Sequence, residues 1–395
     1  MLTVLLAGGG TTGHISPLLA IADDLAFQDP EARLIVLGTE DGLESRLVPA
    51  AGYELVTIDK VPAPRRVDAA ALAFPRRLMG TVTAVRRLLK ERAVDVVVGV
   101  GGYVASPAYL AARSLGIPIV IHEANARPGL ANRLGARLSR PELIGYTFAN
   151  TPLPGTQVGM PMRAEVAHRD RRDPRVRAAA AKSLGLDPAK TTLVVTGGSL
   201  GAAALNRALA ASVPALADAG VQVLHITGAG KAEEVVAAAA ASPDYHVVEY
   251  VDGMEDAYTA ADLIVCRAGA GTVAEVTTMQ VPAVYVPLPI GNGEQRLNAA
   301  DAVAAGAALL VDDADFTPDY AAQTVLPLLR DPARLAAMAQ AAADMGFPRS
   351  ADRAMAARVF AAAGAAHPGR AYPERMQTKE ELAGAAGADG SGADR

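Results

Sequence analysis

An α/β chain built from two parallel-sheet domains is predicted by three observations. Short apolar runs recur along the sequence, each followed by a glycine turn and an Ala/Leu-rich stretch with helical spacing. The runs are continuous rather than alternating, the pattern of parallel strands buried on both faces. Thr3–Gly10 (TVLLAGGG) is echoed by Thr192–Ser199 (TLVVTGGS), so each copy reads as the first strand and turn of its own sheet.

Taken in order, the first domain holds the runs Thr3–Ala7, Leu34–Leu37, Val94–Val100 and Ile117–Ile121. The second holds Leu193–Thr196, Val221–Ile226, Leu263–Cys266 and Ala283–Val286. The stretches between them are long enough for crossover helices. Arg163–Lys190 is rich in charge and proline and carries no strand-like run, which places a hinge near Gly159–Arg163. The expected boundaries are 1–160 and 161–345, then a helix at 346–363 packing back on the first domain. A tail at 364–395, with few large apolar residues, is expected to be disordered.

Composition narrows the function. The chain has 395 residues, well beyond the roughly 150 of one domain. Apolar residues at 51% and charged residues at 20% describe a globular protein with a sizeable core. Aromatics are 4% and Trp is absent, so aliphatic side chains and Ala must fill it. The net charge of −5 argues against generic nucleic-acid binding. The single cysteine, Cys266, has no internal disulfide partner, which fits a reducing compartment. The start MLTVLLAGGG lacks a basic region, so no signal peptide is expected, and no apolar run is long enough to span a bilayer.

Five segments carry candidate chemistry. In Gly8-Gly9-Gly10-Thr11-Thr12-Gly13-His14, glycines admit close backbone approach and the following helix start offers free N–H groups to an anion. Gly8, Gly10 and Gly13 also meet the bare spacing of a dinucleotide site, but no acidic residue ends the second strand. His14 at a helix N-terminus would be held neutral and able to act as a general base; the plain alternative is a histidine capping its own turn. In Gly197-Gly198-Ser199-Leu200-Gly201-Ala202, Ser199 either caps the helix or meets a phosphate.

In Arg267–Glu275 (RAGAGTVAE), Glu275 is expected in the first helical turn, where it either accepts ribose hydroxyls or closes a capping box with Thr272. In Pro287–Asn298 the amides of Gln295 and Asn298 lie one turn apart on a shared face and suit a neutral sugar, or serve as turn and cap. His122–Gly129 (HEANARPG) forms a polar loop beyond a strand, where open α/β sheets bind ligands; His122 reads equally as a buried strand-end residue. Asp313-Ala314-Asp315 spells a metal-binding D-x-D but lies in an acidic loop expected to be solvated, and no Walker A or G-x-S-x-G pattern occurs.

Between Lys60 and Arg92 there are nine Lys/Arg and two acidic residues. Phe74, Leu78, Met79, Val82, Val85 and Leu89 interleave with Arg76, Arg77, Arg86 and Arg87. Most of this apolar face should be core. The rest (Phe74, Arg76, Arg77, Leu78, Met79, Val82, Arg86) reads as a patch for an anionic membrane surface, with Pro75 expected in a helix first turn.

Together the segments resemble the MurG family of N-acetylglucosaminyltransferases of bacterial peptidoglycan synthesis. The resemblance covers about Leu2 to Val359 and rests on GGGTTGH at 8–14, GVGGYVASP at 99–107, HEANARPGLANR at 122–133, GMPMR at 159–163, GGSLGA at 197–202, RAGAGTVAE at 267–275 and GNGEQRLNA at 291–299. It implies the GT-B fold, two Rossmann-like domains facing a cleft, working with no metal or other cofactor. It implies inverting transfer of GlcNAc from UDP-GlcNAc to the C4 hydroxyl of the MurNAc sugar on undecaprenyl-pyrophosphoryl-MurNAc-pentapeptide. It further implies peripheral attachment at the cytoplasmic face of the cell membrane, with the first domain taking the acceptor and the second the donor.

By the same resemblance, Thr11, Thr12, Gly13 and Asn125 contact the donor sugar from the first domain, and Arg163 and Ser199 meet the donor, Ser199 at the diphosphate. Val251 offers its backbone to uracil, Ala270, Gly271, Thr272, Val273, Ala274 and Glu275 hold the nucleoside, Glu294 or Gln295 binds the GlcNAc hydroxyls, and His14 is the base or positions the acceptor. Thr12, Ala124 and Met160 depart from the commoner family residues Gly, Gln and Asn. The competing readings are another GT-B enzyme on UDP-GlcNAc (a 2-epimerase or a small-molecule glycosyltransferase), a nicotinamide-dependent oxidoreductase, and a nucleotide-sugar-binding scaffold.

Overall fold

The computed structural model describes residues 1–61, 69–198, 201–290 and 292–369. The chain divides into two compact units, Met1–Ala164 with Pro348 onward, and Glu165–Phe347.

The first unit is a parallel sheet of β1 (Thr3–Ala7), β2 (Arg33–Gly38), β3 (Glu54–Thr57), β4 (Val96–Gly99), β5 (Ile119–Glu123), β6 (Ile144–Tyr146) and β7 (Thr156–Gln157). Their order is β3-β2-β1-β4-β5-β6-β7. Alternation along each strand feeds two apolar layers. Val4 and Leu6 pack on one face with Leu18, Ile21 and Leu25 of helix Thr12–Gln28 and Met355, Val359 and Phe360 of helix Ala351–Ala362. Leu5 and Ala7 face the other layer, with Val82, Val85 and Leu89 of helix Ala69–Glu91 and Tyr109 of helix Ala105–Leu115.

The second unit repeats the plan with β8 (Thr192–Thr196), β9 (Gln222–Ile226), β10 (Tyr245–Val248), β11 (Leu263–Cys266), β12 (Ala283–Tyr285) and β13 (Ala308–Leu310). Their order is β10-β9-β8-β11-β12-β13. In both sheets the winding reverses beside the first strand, between β1 and β4 and between β8 and β11. Loops leaving such a pair at their C-terminal ends diverge and open a crevice, which is where open α/β sheets bind ligands.

All eight apolar runs read from the sequence are strands. Those without such a run, β3, β6, β7, β10 and β13, are short, and β3 is half-exposed at a sheet edge. The strand after Val94–Val100 continues to Glu123, so His122 and Glu123 sit in β5 rather than in the loop beyond it. Helix Ala69–Glu91 is already running at Ala69, which puts Pro75 inside it and not in its first turn. Val82, expected in the surface patch, is buried in the core. Phe74 and Leu78 are half-buried, while Arg76, Arg77, Met79 and Arg86 are exposed, as is Leu72. Of the basic segment, 62–68 lies outside the described residues, as does the tail from 370. Among the described residues no helix is long and apolar enough to cross a membrane.

Candidate active site

The glycine loop after β1 leads into helix Thr12–Gln28, whose N-cap is Thr11. Thr11 Oγ1 lies 3.0 Å from His14 Nδ1, within hydrogen-bond reach. His14 is in the first helical turn, and partial burial holds its imidazole below the usual value of 6.5, against an opposing pull from the Glu44 carboxylate. Its Nε2 edge lies against Gly101, where φ is +98° and a Cβ would come 3.1 Å from Nε2. The same Cβ would stand 3.5 Å from the Asn132 amide, so the loops after β1 and β4 and helix Leu130–Leu138 after β5 bring His14, Gly101 and Asn132 to one small space. Next to it, a Cβ on Gly102 would come 2.7 Å from the Gly9 carbonyl; glycine lets the two loops pack backbone to backbone.

Glu44, at the start of helix Glu44–Ala50, is fully buried. Its Oε2 accepts the Gly10 N–H at 2.9 Å, and its Oε1 accepts the Thr39 N–H and hydroxyl, both at 2.8 Å. Burial disfavours the charge, but these donors outweigh it and keep the carboxyl below its ordinary range. A Cβ on Gly9 or Gly42 would overlap this carboxylate, and one on Gly38 would come 2.5 Å from Glu44 Cγ.

A second buried carboxylate organises the loop after β5. Glu123 accepts the N–H of Asn125 at 2.9 Å and of Gly129 at 3.1 Å, and the Asn132 amide at 3.0 Å. Burial raises its pKa in spite of these donors. Asn132 also receives the Tyr109 hydroxyl at 2.7 Å. The adjacent His122 is a buried strand residue, as one of its two readings had it. Its Nε2 lies 2.9 Å from the Gly159 carbonyl, and burial, assisted by Arg358, pushes its imidazole down to about 4.

In the second unit, the loop after β11 and helix Ala270–Thr278 carry the nucleoside candidates Ala270–Glu275. The N-cap is Gly269, so Glu275 stands in the second helical turn rather than the first, and Thr272 lies inside the helix instead of capping it. The Glu275 carboxylate accepts the Tyr258 hydroxyl at 2.8 Å. Arg267, nearly buried, donates to the carbonyls of Val286 and Pro287 at 3.1 and 3.2 Å and pairs with Asp313 at 2.5 Å. Asp313 is therefore an internal counterion, not a solvated D-x-D member.

Gln295 and Asn298 share helix Glu294–Ala304 but not an environment. Gln295 Oε1 accepts the Leu288 N–H at 2.9 Å, whereas Asn298 is buried and donates to the Ala268 carbonyl at 3.3 Å, pinning the loop that follows β11. Glu294 exchanges hydrogen bonds with Asn292, each 3.2 Å. Val251 is buried beyond β10.

The predicted residues therefore fall on two sheets. Thr11, Gly13, His14, Asn125 and Arg163 belong to the first unit, and Val251, Ala270–Glu275, Glu294 and Gln295 to the second. Ser199 and the Thr12 side chain lie outside the described residues. Glu44 was missed by motif reasoning, since an acid opening a short helix reads as a dipole partner; only the glycines at 9, 38 and 42 hint at the space it fills. Among the described residues no group of three His, Cys, Asp or Glu is placed to hold a metal ion.

Comparison with known proteins places these loops in a family. Residues 4–143 match the glycosyltransferase family 28 N-terminal domain, and residues 192–354 its C-terminal domain. A protein of Paenarthrobacter aurescens (strain TC1) named UDP-N-acetylglucosamine--N-acetylmuramyl-(pentapeptide) pyrophosphoryl-undecaprenol N-acetylglucosamine transferase is 56% identical over 92% of this chain and 97% of its own. The Streptomyces avermitilis protein of the same name is 50% identical over 92% of this chain and 99% of its own. A crystal structure of Acinetobacter baumannii MurG superposes with a TM-score of 0.74 at 32% identity, covering 90% of this chain and 98% of that one. The calicheamicin glycosyltransferase, at 18% identity and a TM-score of 0.64 over 92% of this chain and 99% of its own, shares the fold alone. With half or more of its residues shared with these transferases across nearly its whole length, and both domain models matched in order, this chain belongs to the MurG family of glycosyltransferase family 28.

Proposed function

We propose that the chain transfers GlcNAc from UDP-GlcNAc to the C4 hydroxyl of the MurNAc sugar of undecaprenyl-pyrophosphoryl-MurNAc-pentapeptide, with inversion at C1. The observation that carries this reading is the His14 imidazole held by Thr11 at the switch point of the first sheet, its pKa lowered by burial, in a chain so similar to transferases named for this reaction. His14 Nε2 takes the proton from the C4 hydroxyl, with Nδ1–H donating to Thr11 Oγ1. The C4 oxygen bonds to C1 of GlcNAc, the C1–O bond to the diphosphate breaks, and its electron pair leaves with UDP. Backbone N–H groups at helix starts after the glycine turns stabilise that developing charge.

Thr11, Thr12, Gly13 and Asn125 meet the sugar side of the donor, and Arg163 and Ser199 meet the donor, with Ser199 at its diphosphate. Val251 reads the base, Ala270–Glu275 hold the nucleoside, with the Glu275 carboxylate taking ribose hydroxyls while Tyr258 orients it, and Glu294 or Gln295 binds the GlcNAc hydroxyls. The first unit serves the lipid acceptor and the second the donor. The arginines and exposed Leu72 and Met79 of helix Ala69–Glu91 rest on the anionic cytoplasmic face of the membrane.

The test is radiolabelled UDP-GlcNAc with the lipid-linked acceptor in excess EDTA, following label into a lipid product. Labelled lipid is the expected result. Donor binding without labelled lipid would send the reading to a different acceptor or to epimerisation, and neither binding nor product would overturn it.

A further inference from the structure

We propose that Glu44 is a positioning residue for the transfer step, its buried carboxylate holding the loop Gly8–Gly10 in the shape that presents Thr11 and His14. The proposal rests on the reading of His14 as the group that takes the acceptor proton.

Three features separate this carboxylate from an ordinary helix-start acid. It is fully buried, where a charge survives only with close partners, and all of its partners are loop groups at the C-terminal edge of the sheet. It spans two βα units, joining the loop after β2 to Gly10, which stands at φ +90° immediately before Thr11. Finally, the volume it occupies is cleared by three glycines, Gly9, Gly38 and Gly42.

Sheet closure does not need this link, because β1 and β2 already pair from Thr3–Arg33 to Ala7–Leu37. What the carboxylate adds lies beyond the strand ends, in the course of the glycine loop. Turning Gly10 by its N–H sets the direction of Thr11, whose hydroxyl in turn meets His14 Nδ1 at 3.0 Å. The negative charge also favours the imidazolium that forms on His14 as the proton moves.

The test compares Glu44→Gln, Thr39→Val and His14→Ala by kcat, by UDP-GlcNAc affinity in calorimetry and by Tm. Glu44→Gln keeps the volume but sets an amide NH2 against an N–H donor, and should lower kcat about 10- to 100-fold. Donor affinity should fall by a much smaller factor than kcat, since Thr11 meets only the sugar end of the donor and the nucleoside candidates Ala270–Glu275 lie on the other sheet. Thr39→Val removes one hydrogen bond to the carboxylate, leaves the charge in place, and should lower kcat several-fold. In the His14→Ala background, Glu44→Gln should add little further loss, because the two act as one unit.

A Tm loss with unchanged kcat per folded molecule, or a loss that multiplies in full on His14→Ala, would reduce Glu44 to a structural part and overturn the proposal. If Glu44→Gln does not fold, Thr39→Val decides: unchanged kcat overturns it. Should His14→Ala itself leave kcat intact, the reading of His14 fails first and takes this proposal with it. A large loss in His14→Ala beside none in Glu44→Gln overturns the proposal alone.

Discussion

Thr11 Oγ1 lies 3.0 Å from His14 Nδ1, so one ring nitrogen is held within its own helix turn while Nε2 is left against Gly101. That division of the two nitrogens is what a general base requires. His14→Ala should lower kcat about 10²- to 10⁴-fold, the range of a lost acid–base group. UDP-GlcNAc affinity should hold in His14→Ala, while Thr11→Val should give a smaller loss of kcat together with weaker donor binding, because Thr11 also meets the donor sugar in the proposed site. Burial lowers the imidazole pKa from 6.5, and the proposed base acts in its neutral form, so the acid limb of kcat/KM should have its midpoint below pH 6.5 in the wild type. A full pH profile of kcat/KM checks this, and an acid midpoint above 6.5 contradicts it.

Tyr109 fills space that two glycines vacate. A Cβ on Gly99 would overlap its hydroxyl, and one on Gly135 would come 2.6 Å from its Cε2. Gly99→Ala should therefore cost about 1–3 kcal/mol, as overpacked cores do. Tyr109→Leu should recover part of the stability in the Gly99→Ala background, because it removes the ring that the new methyl strikes. Denaturant titration of the single and double variants measures the coupling.

Asp352, on the helix that returns to the first unit, has its pKa raised to about 7 by burial and by Asp24. A carboxyl with a raised folded pKa weakens the fold as pH rises from 3.8 towards 7, because the unfolded chain ionises first. Asp352→Asn should raise Tm at pH 8 by about 3 °C or more, with most of the gain gone at pH 3.5, below both pKa values. Calorimetric scans at the two pH values test it; an equal gain at both would remove the electrostatic explanation.

His122 and His225 are buried with imidazole pKa values of about 4 against the usual 6.5. Burial leads in both. His225 sits between the Tyr245 hydroxyl at 2.8 Å and the Asn206 amide oxygen at 3.1 Å. Between pH 6.5 and about 4 the unfolded chain takes up these protons and the folded chain does not, so this contribution to stability falls as pH drops through that window. Replacing His225 by Gln should flatten the fall in urea midpoint between pH 7 and pH 4.5, at a cost in absolute stability.

Arg267 and Asp313 meet at 2.5 Å with side chains only 10% and 19% exposed. Removing one partner leaves a nearly buried charge, so Asp313→Ala should destabilise by about 3 kcal/mol and weaken UDP-GlcNAc binding, because Arg267 begins the loop leading to Ala270–Glu275. Denaturation and donor calorimetry measure the two effects.

For the surface helix, reversing the charges of Arg76, Arg77, Arg86 and Arg87 should abolish flotation with anionic liposomes while leaving Tm within about 2 °C. Undiminished flotation would remove the membrane role of this face.

Apolar patterning and glycine spacing predict the two parallel sheets, their first strands and the glycine loops that leave them. Buried parallel strands read as unbroken apolar runs, and glycine turns mark where the backbone must bend sharply. The positions of His14 and Gln295 at helix starts were legible from the glycine turns before them, whereas Glu275 falls one turn later than its spacing suggested. The partners brought from far along the chain emerge only when the elements pack. Glu44 reaches Gly10, Asp313 neutralises Arg267, Asn298 pins Ala268, and Val82 turns into the core while Met79 stays outside. Local pattern governs which backbone conformation a segment adopts. Which buried charge meets which donor depends on strand order, and that order is set by how the apolar faces of all the strands and helices pack at once.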